Sequence, residues 1–188
     1  SYLNHPEFFC QEAMPVDVLI SPEQIVTEYV QRLIETPGAL QVLDFADGRV
    51  RMVAVKAFSG GPLVNRELRT LSEHIPNVDA RVAAIFRDGV HVAPDGDTIV
   101  KEGDEIFFVA ASGNVRTVMG ELGKLDNPVK RITLAGGGNN GYGLAARLEK
   151  NYRGKLSGRD PAWATRLSEL LSSTIVLEGD AAGEDLLR

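Results

Sequence analysis

The alternation of apolar and polar residues divides the chain into three stretches. Ser21-Pro22-Glu23 places a capping side chain, a proline at the first helical position and an acid in the first turn. Behind them Ile25, Val26, Tyr29, Val30, Leu33 and Ile34 recur at helical spacing, so a helix is predicted over 22–35, ended by Pro37-Gly38. Residues 1–20 read as a short helix and then an apolar run, Val16–Ile20. From 39 to 111 the period shortens. Leu40–Phe45 and Val50–Phe58 are strand-like around Ala46-Asp47-Gly48-Arg49, a hairpin signal. Asn65–His74 reads as a short helix with Leu68 and Leu71 inward. Strands follow at Arg81–Arg87, Val90–Val92 and Glu105–Ala111, divided by Asp88-Gly89, Pro94–Asp97 and Glu102–Asp104. A helix is predicted over 113–128 with Val115, Val118, Met119 and Leu122 on one side, and Pro128 marks a boundary. Beyond it the order is strand, glycine turn, helix, strand, helix, strand, with strands near Ile132–Ala135, Lys155–Ser157 and Thr174–Leu177. That alternation opens a doubly wound parallel sheet.

Composition narrows the function classes. The 188 residues are 44% hydrophobic and 24% charged, the balance of a folded globular chain. A formal net charge of −6 makes nucleic acid a poor partner, since duplex binders present a basic face. No apolar run reaches the roughly 20 residues that span a bilayer, so direct membrane insertion is not expected. Cys10 is the single cysteine, which excludes an internal disulfide and fits a reducing cytoplasm. The chain starts at Ser1 and stops soon after a strand-like run, so both ends are expected to be cut from something longer.

The richest chemical signal is Gly136-Gly137-Gly138-Asn139-Asn140-Gly141, where Gly136, Gly138 and Gly141 fit G-x-G-x-x-G between a strand and a helix predicted over Tyr142–Lys150. In that context the first glycine permits a tight turn, the second lets backbone approach a pyrophosphate, and the third allows close packing. The helix start then offers free N–H groups to phosphate. The other half of the fingerprint is absent. The acid that should hold the ribose hydroxyls about 20 residues on is replaced by Gly158, followed by Arg159, which could meet a phosphate, and by Asp160, which is expected to cap the next helix ahead of Pro161.

Taken with Ile20–Glu23, Pro37–Leu40, Val53–Val55 through Gly60–Leu63, Arg81–Gly89, Pro94–Ile99 and Gly103–Val109, this turn makes the chain resemble the RCK family of potassium-conductance regulators over nearly its whole length. The resemblance implies a fold of α/β plus α+β character: a crossover helix, a small hairpin-rich C-terminal module, then the first half of a Rossmann-like parallel sheet. It divides the chain into a tail of a first nucleotide-binding domain with the crossover helix (1–36), the α+β module (37–127) and the N-terminal half of a second Rossmann-like domain (128–188). It implies binding of NAD(H) or an adenine nucleotide (ATP/ADP) at Gly136, Gly138, Asn139, Asn140, Gly141, Gly179 and Asp180, with the ribose acid replaced by Gly158. It also implies a homo-oligomer seated on a membrane potassium transporter subunit. The protein would be cytoplasmic, peripheral at the inner face of the cell membrane through that partner, and would gate potassium flux without being an enzyme.

The remaining candidates read as structural. His5, His74 and His91 share no metal spacing, and Cys10 lies among Phe8, Phe9 and Met14 as a buried thiol. Asp95, Asp97, Glu102 and Asp104 are expected to be solvated turn acids rather than a cation site, and Trp163 to pack on the second Rossmann helix. Ser112, Ser157 and Ser168 lack a nucleophile elbow. The apolar stripe of the 22–35 helix serves either the core or a second subunit. Two other functions compete: a fragment of an NAD-dependent oxidoreductase, for which no acid–base constellation is evident, and a module at 39–111 that dimerises or binds an effector.

Overall fold

In the computed structural model, residues 20–123 and 125–179 are described; Cys10, His5 and Asp180 lie outside them. The first described helix, α1 (Pro22–Glu35), starts where the sequence places it. The Ser21 hydroxyl accepts from the Gln24 N–H, and Pro22 occupies the first turn. Its apolar stripe is divided. Leu33 packs against the core of the hairpin module, while Ile25 and Val26 stay about half exposed.

That module is a five-stranded antiparallel sheet in the order β1-β2-β5-β3-β4, from β1 (Ala39–Phe45), β2 (Val50–Lys56), β3 (Ala80–Arg87), β4 (Val90–Val92) and β5 (Glu105–Ala111). One face of β2 and β5 carries Val53, Val55, Ile106 and Phe108 into a core closed by α3 (Val115–Leu122), whose Val115, Val118, Met119 and Leu122 are all buried. The sequence pattern predicts α3 to run to 128. It stops at Leu122 because Gly123 leaves the helical region as its cap, and it begins one 3₁₀ turn later than expected, after Ser112–Asn114. Likewise only Thr70–His74 (α2) is α-helical in the predicted 65–74 helix. Glu67 bridges Ile99 instead, although Leu68 and Leu71 do point inward.

Ala46, Asp47 and Gly48 all have positive φ, at 51°, 56° and 77°, and make the β1–β2 hairpin turn. A left-handed conformation disfavours any residue with a Cβ, and Ala46 has no side-chain polar group to offset that. Ala46→Gly is therefore expected to stabilise the protein by about 1 kcal/mol, read as a rise of about 2–4 °C in Tm. An unchanged or lower Tm would mean that the gain in unfolded-state entropy outweighs the relieved strain.

Asp104 is a clear departure from expectation. It is not a solvated turn acid but is fully inaccessible (0%). Arg87 reaches it with two bonds of 2.8 Å, Nε to Oδ1 and Nη2 to Oδ2, and the Lys101 N–H donates to Oδ2 at 2.8 Å. Burial is the strongest single influence on this carboxyl and works against its charge, yet Arg87 and the Lys101 amide together hold its pKa below the ordinary value. The paired guanidinium is raised in turn, chiefly by its hydrogen bond to Asp104. Asp97 is paired too, with Arg69.

Past Pro128 the chain forms a second sheet, three parallel strands in the order β6-β7-β8: β6 (Arg131–Ala135), β7 (Arg153–Gly158) and β8 (Ile175–Glu178). Helices α4 (Asn139–Leu148) and α5 (Pro161–Leu170) make the crossovers, and Ala145, Leu156, Leu167 and Leu171 form their core. Asp160 caps α5 as expected, its Oδ1 accepting from Ala162 and Trp163 at 3.0 and 3.3 Å. Helix α1 joins the two sheets. It lies on α4 with Thr27 buried opposite Gly143, where a Cβ would sit 3.5 Å from Thr27 Oγ1, and Arg147 bonds Glu28 at 3.1 Å.

Candidate nucleotide site

The glycine turn crosses from the carboxyl end of β6 into α4, and its three fingerprint positions have different physical roles. Gly136 has φ +104°, which L side chains rarely adopt, and its N–H is tied to the Ser157 carbonyl of β7 at 3.0 Å. Gly138 adopts an ordinary backbone, and a Cβ there would meet nothing within 4 Å, so the space above it is open. At Gly141 a Cβ would fall 1.9 Å from the Gly136 carbonyl oxygen. The third glycine thus packs the helix tightly onto the turn itself, and also onto the strand as the motif suggests, since the same Cβ would stand 3.6 Å from Leu156 Cδ1 of β7.

Helix α4 starts at Asn139, three residues earlier than predicted, so Asn139, Asn140 and Gly141 form its first turn. Gly138 at the cap has no side chain to satisfy their N–H groups, whereas α1 and α5 are capped by Ser21 and Asp160. Two cavities flank the turn. One, of about 460 Å³, lies over the carboxyl ends of the three strands between Gly136–Gly138, Ser157–Asp160, Trp163 and Gly179. Ligands of open parallel sheets bind in this place. The other, of about 520 Å³, lies between the turn with Asn139–Gly141 and the α1 residues Glu23, Val26, Thr27 and Val30.

The structure therefore gathers Gly136, Gly138, Asn139, Asn140 and Gly141 at one turn. Gly179 stands across the first cavity, its N–H bonded to the Gly158 carbonyl at 2.9 Å. The turn fits a pyrophosphate: an open second glycine and uncapped amides at the positive end of a helix. The ribose position does not fit the usual partner. Gly158 ends β7 with open space where a Cβ would stand, and Arg159 lines the same cavity.

Trp163 was not marked for this site by the sequence. Its ring packs beside the second core, and its Nε1–H donates to the Gly137 carbonyl, bracing the turn from α5. Arg166 lies over the same ring, 5.7 Å from its centre. The approach of α1 to the glycine turn carries no local signal either, because more than a hundred residues separate Glu28 from Arg147. Among the described residues no helix is long and apolar enough to cross a membrane.

Comparison with known proteins gives these features a family context. Residues 52–123 match the TrkA-C domain family. The chain is 54% identical to the Trk system potassium uptake protein TrkA of Vibrio alginolyticus over 99% of its own length and 41% of that protein. It is 49% identical to the protein of the same description from Halomonas elongata, over 100% of this chain and 41% of that one. The chain thus spans about two fifths of the length of these relatives. Among solved structures, the GsuK RCK domain superposes with a TM-score of 0.51 at 18% identity, covering 89% of this chain and 35% of that one. A structure of the GsuK channel bound to NAD superposes at 0.50 with 16% identity, covering 90% of this chain and 29% of that one. At such identities these likenesses speak to fold, and they bear out the mixed α/β architecture with a Rossmann-like sheet read from the sequence.

Proposed function

We propose that this chain is the coupling part of a nucleotide-sensing regulatory subunit for potassium uptake, as the RCK resemblance implied, since residues 52–123 match the TrkA-C domain family and the chain is 54% identical to a Trk system potassium uptake protein along nearly all of its own length. The observation that carries the reading is the glycine turn, open at Gly138 and uncapped at α4, set at the carboxyl ends of a parallel sheet and leading into α4, on which α1, the helix that runs into the TrkA-C domain, is packed. An adenine nucleotide or NAD(H) bound there meets Gly136, Gly138, Asn139, Asn140 and Gly141 through its phosphates, with Gly179 across the cavity. Asp180 follows Gly179 directly and belongs to the same proposed set.

On this reading the protein regulates and does not catalyse. It is cytoplasmic, at the inner face of the membrane through a transporter subunit, and it assembles with copies of itself, for which the half-exposed Ile25 and Val26 of α1 supply apolar surface. The nucleotide acts on flux because α1 belongs to both units. Leu33 is anchored in the TrkA-C core while Thr27 and Glu28 are anchored on α4. A ligand that shifts the turn shifts α4 and hence α1.

Gly138→Ala tests the assignment. The added methyl stands in open space in the protein but in the path of the phosphates. Calorimetric titration with NADH and with ATP is expected to show at least a tenfold loss of affinity for the ligand that the wild type binds. Potassium uptake by cells carrying this variant is expected to lose its dependence on the nucleotide. Unaltered binding together with unaltered uptake would move the sensing site elsewhere.

A further inference from the structure

Resting on the nucleotide reading above, we propose that the cavity over the strand ends selects a dinucleotide carrying a phosphate on the ribose 2′ position, NADP(H), over its unphosphorylated counterpart. In a dinucleotide-binding sheet the end of the second strand decides this choice. A carboxylate there accepts hydrogen bonds from the ribose hydroxyls and repels a 2′-phosphate, whereas an arginine nearby accommodates one.

Here the second strand is β7, and its last residue is Gly158. The position offers no side-chain acceptor for a 2′-hydroxyl and no negative charge against a phosphate. The room for the larger group exists, because a Cβ at Gly158 would meet nothing within 4 Å. The backbone around it is fixed by the Gly158 carbonyl accepting from Gly179 and by the Ser157 carbonyl accepting from Gly136.

Arg159 follows immediately and lines the same cavity as Gly136–Gly138. Its planar guanidinium presents donors in a fork that matches phosphate oxygens, and such charge-assisted bonds are about twice as strong as neutral ones. Asp160 points its Oδ1 at the Ala162 and Trp163 amides, so its charge is engaged by the positive end of α5. The pyrophosphate would rest on the glycine turn, with the 2′-phosphate one strand over, between the end of β7 and the start of α5.

Calorimetric titration with NADPH, NADH and ATP, on the wild type and on Arg159→Gln, Arg159→Lys and Gly158→Glu, tests this. NADPH is expected to bind about tenfold or more tighter than NADH. Arg159→Gln should remove most of that ratio, Arg159→Lys should keep part of it, and Gly158→Glu should reverse it in favour of NADH. The NADPH/NADH ratio within each variant is the readout, since a loss of folded protein would lower both affinities together and leave the ratio in place. NADH binding as tightly as NADPH, ATP binding alone, or a ratio indifferent to Arg159 would overturn the 2′-phosphate selectivity while leaving a nucleotide site at the turn. Absence of binding by all three ligands would instead remove the nucleotide reading itself.

Discussion

Arg87→Met is expected to destabilise the five-stranded unit by about 3 kcal/mol at neutral pH. The asymmetry of the Arg87–Asp104 pair is the reason. Asp104 is wholly inaccessible, whereas the Arg87 side chain is 27% exposed. Removing the arginine strands a charge that water cannot reach, while Asp104→Asn leaves a guanidinium that can turn toward solvent and still meet the Ile99 carbonyl, now 3.0 Å away. The asparagine variant should therefore lose less. The pH dependence has a definite sign. In the wild type the Asp104 pKa is lowered by folding, so its contribution is complete above the ordinary carboxylate range and disappears as pH falls through the folded-state value. In Arg87→Met, burial remains and only Lys101 opposes it, through its amide and its charge. A carboxyl raised by folding favours the folded state more as it protonates, so the gap between the two proteins should narrow from pH 7 toward about pH 4. Urea unfolding at both pH values measures it. A deficit that does not change with pH would assign the loss to packing of the arginine stem.

Gly141→Ala should damage the second unit by about 2–3 kcal/mol and abolish the proposed nucleotide binding with it. The added methyl would lie 1.9 Å from the Gly136 oxygen and 3.1 Å from its carbonyl carbon, and both are backbone atoms. They cannot retreat cheaply, because Gly136 is bonded to Ser157 on one side and Trp163 holds the Gly137 carbonyl on the other. The two units have separate cores, so calorimetry should show the α4–α5 unit melting early while the five-stranded unit is little changed. Gly138→Ala is the control, since the same methyl three residues earlier meets nothing and should leave Tm unaltered. If both alanines melt like the wild type, the turn has room that this geometry denies it.

Much of this was legible along the chain because the forces involved are local. Ser21-Pro22 and Asp160-Pro161 start helices through bonds reaching two or three residues, Asp88-Gly89 turns a hairpin through its own backbone preference, and the alternation in Glu105–Ala111 reports one buried face. The G-x-G-x-x-G spacing between a strand and a helix located the glycine turn for the same reason, and the absence of an acid at Gly158 needed no structure to be seen. Element ends were read less well. The predicted 113–128 helix stops at Leu122, and α4 begins at Asn139, because capping and packing, not periodicity, decide where a helix ends.

Contacts between residues far apart in the chain were decided only by the tertiary structure. Asp104 reads as one more turn acid until β3 and β5 pair and bring Arg87 to it. Trp163 reads as core until α5 crosses back beneath the glycine turn and its indole finds the Gly137 carbonyl. The grip of α1 on α4, on which the proposed coupling depends, joins Glu28 to Arg147. Sequence alone determined which segments become helix, strand and glycine turn, since each rests on interactions within a few residues. Which charges are buried, and which helix packs on α4, followed from how those segments pack, since burial and charge pairing are properties of neighbours in space.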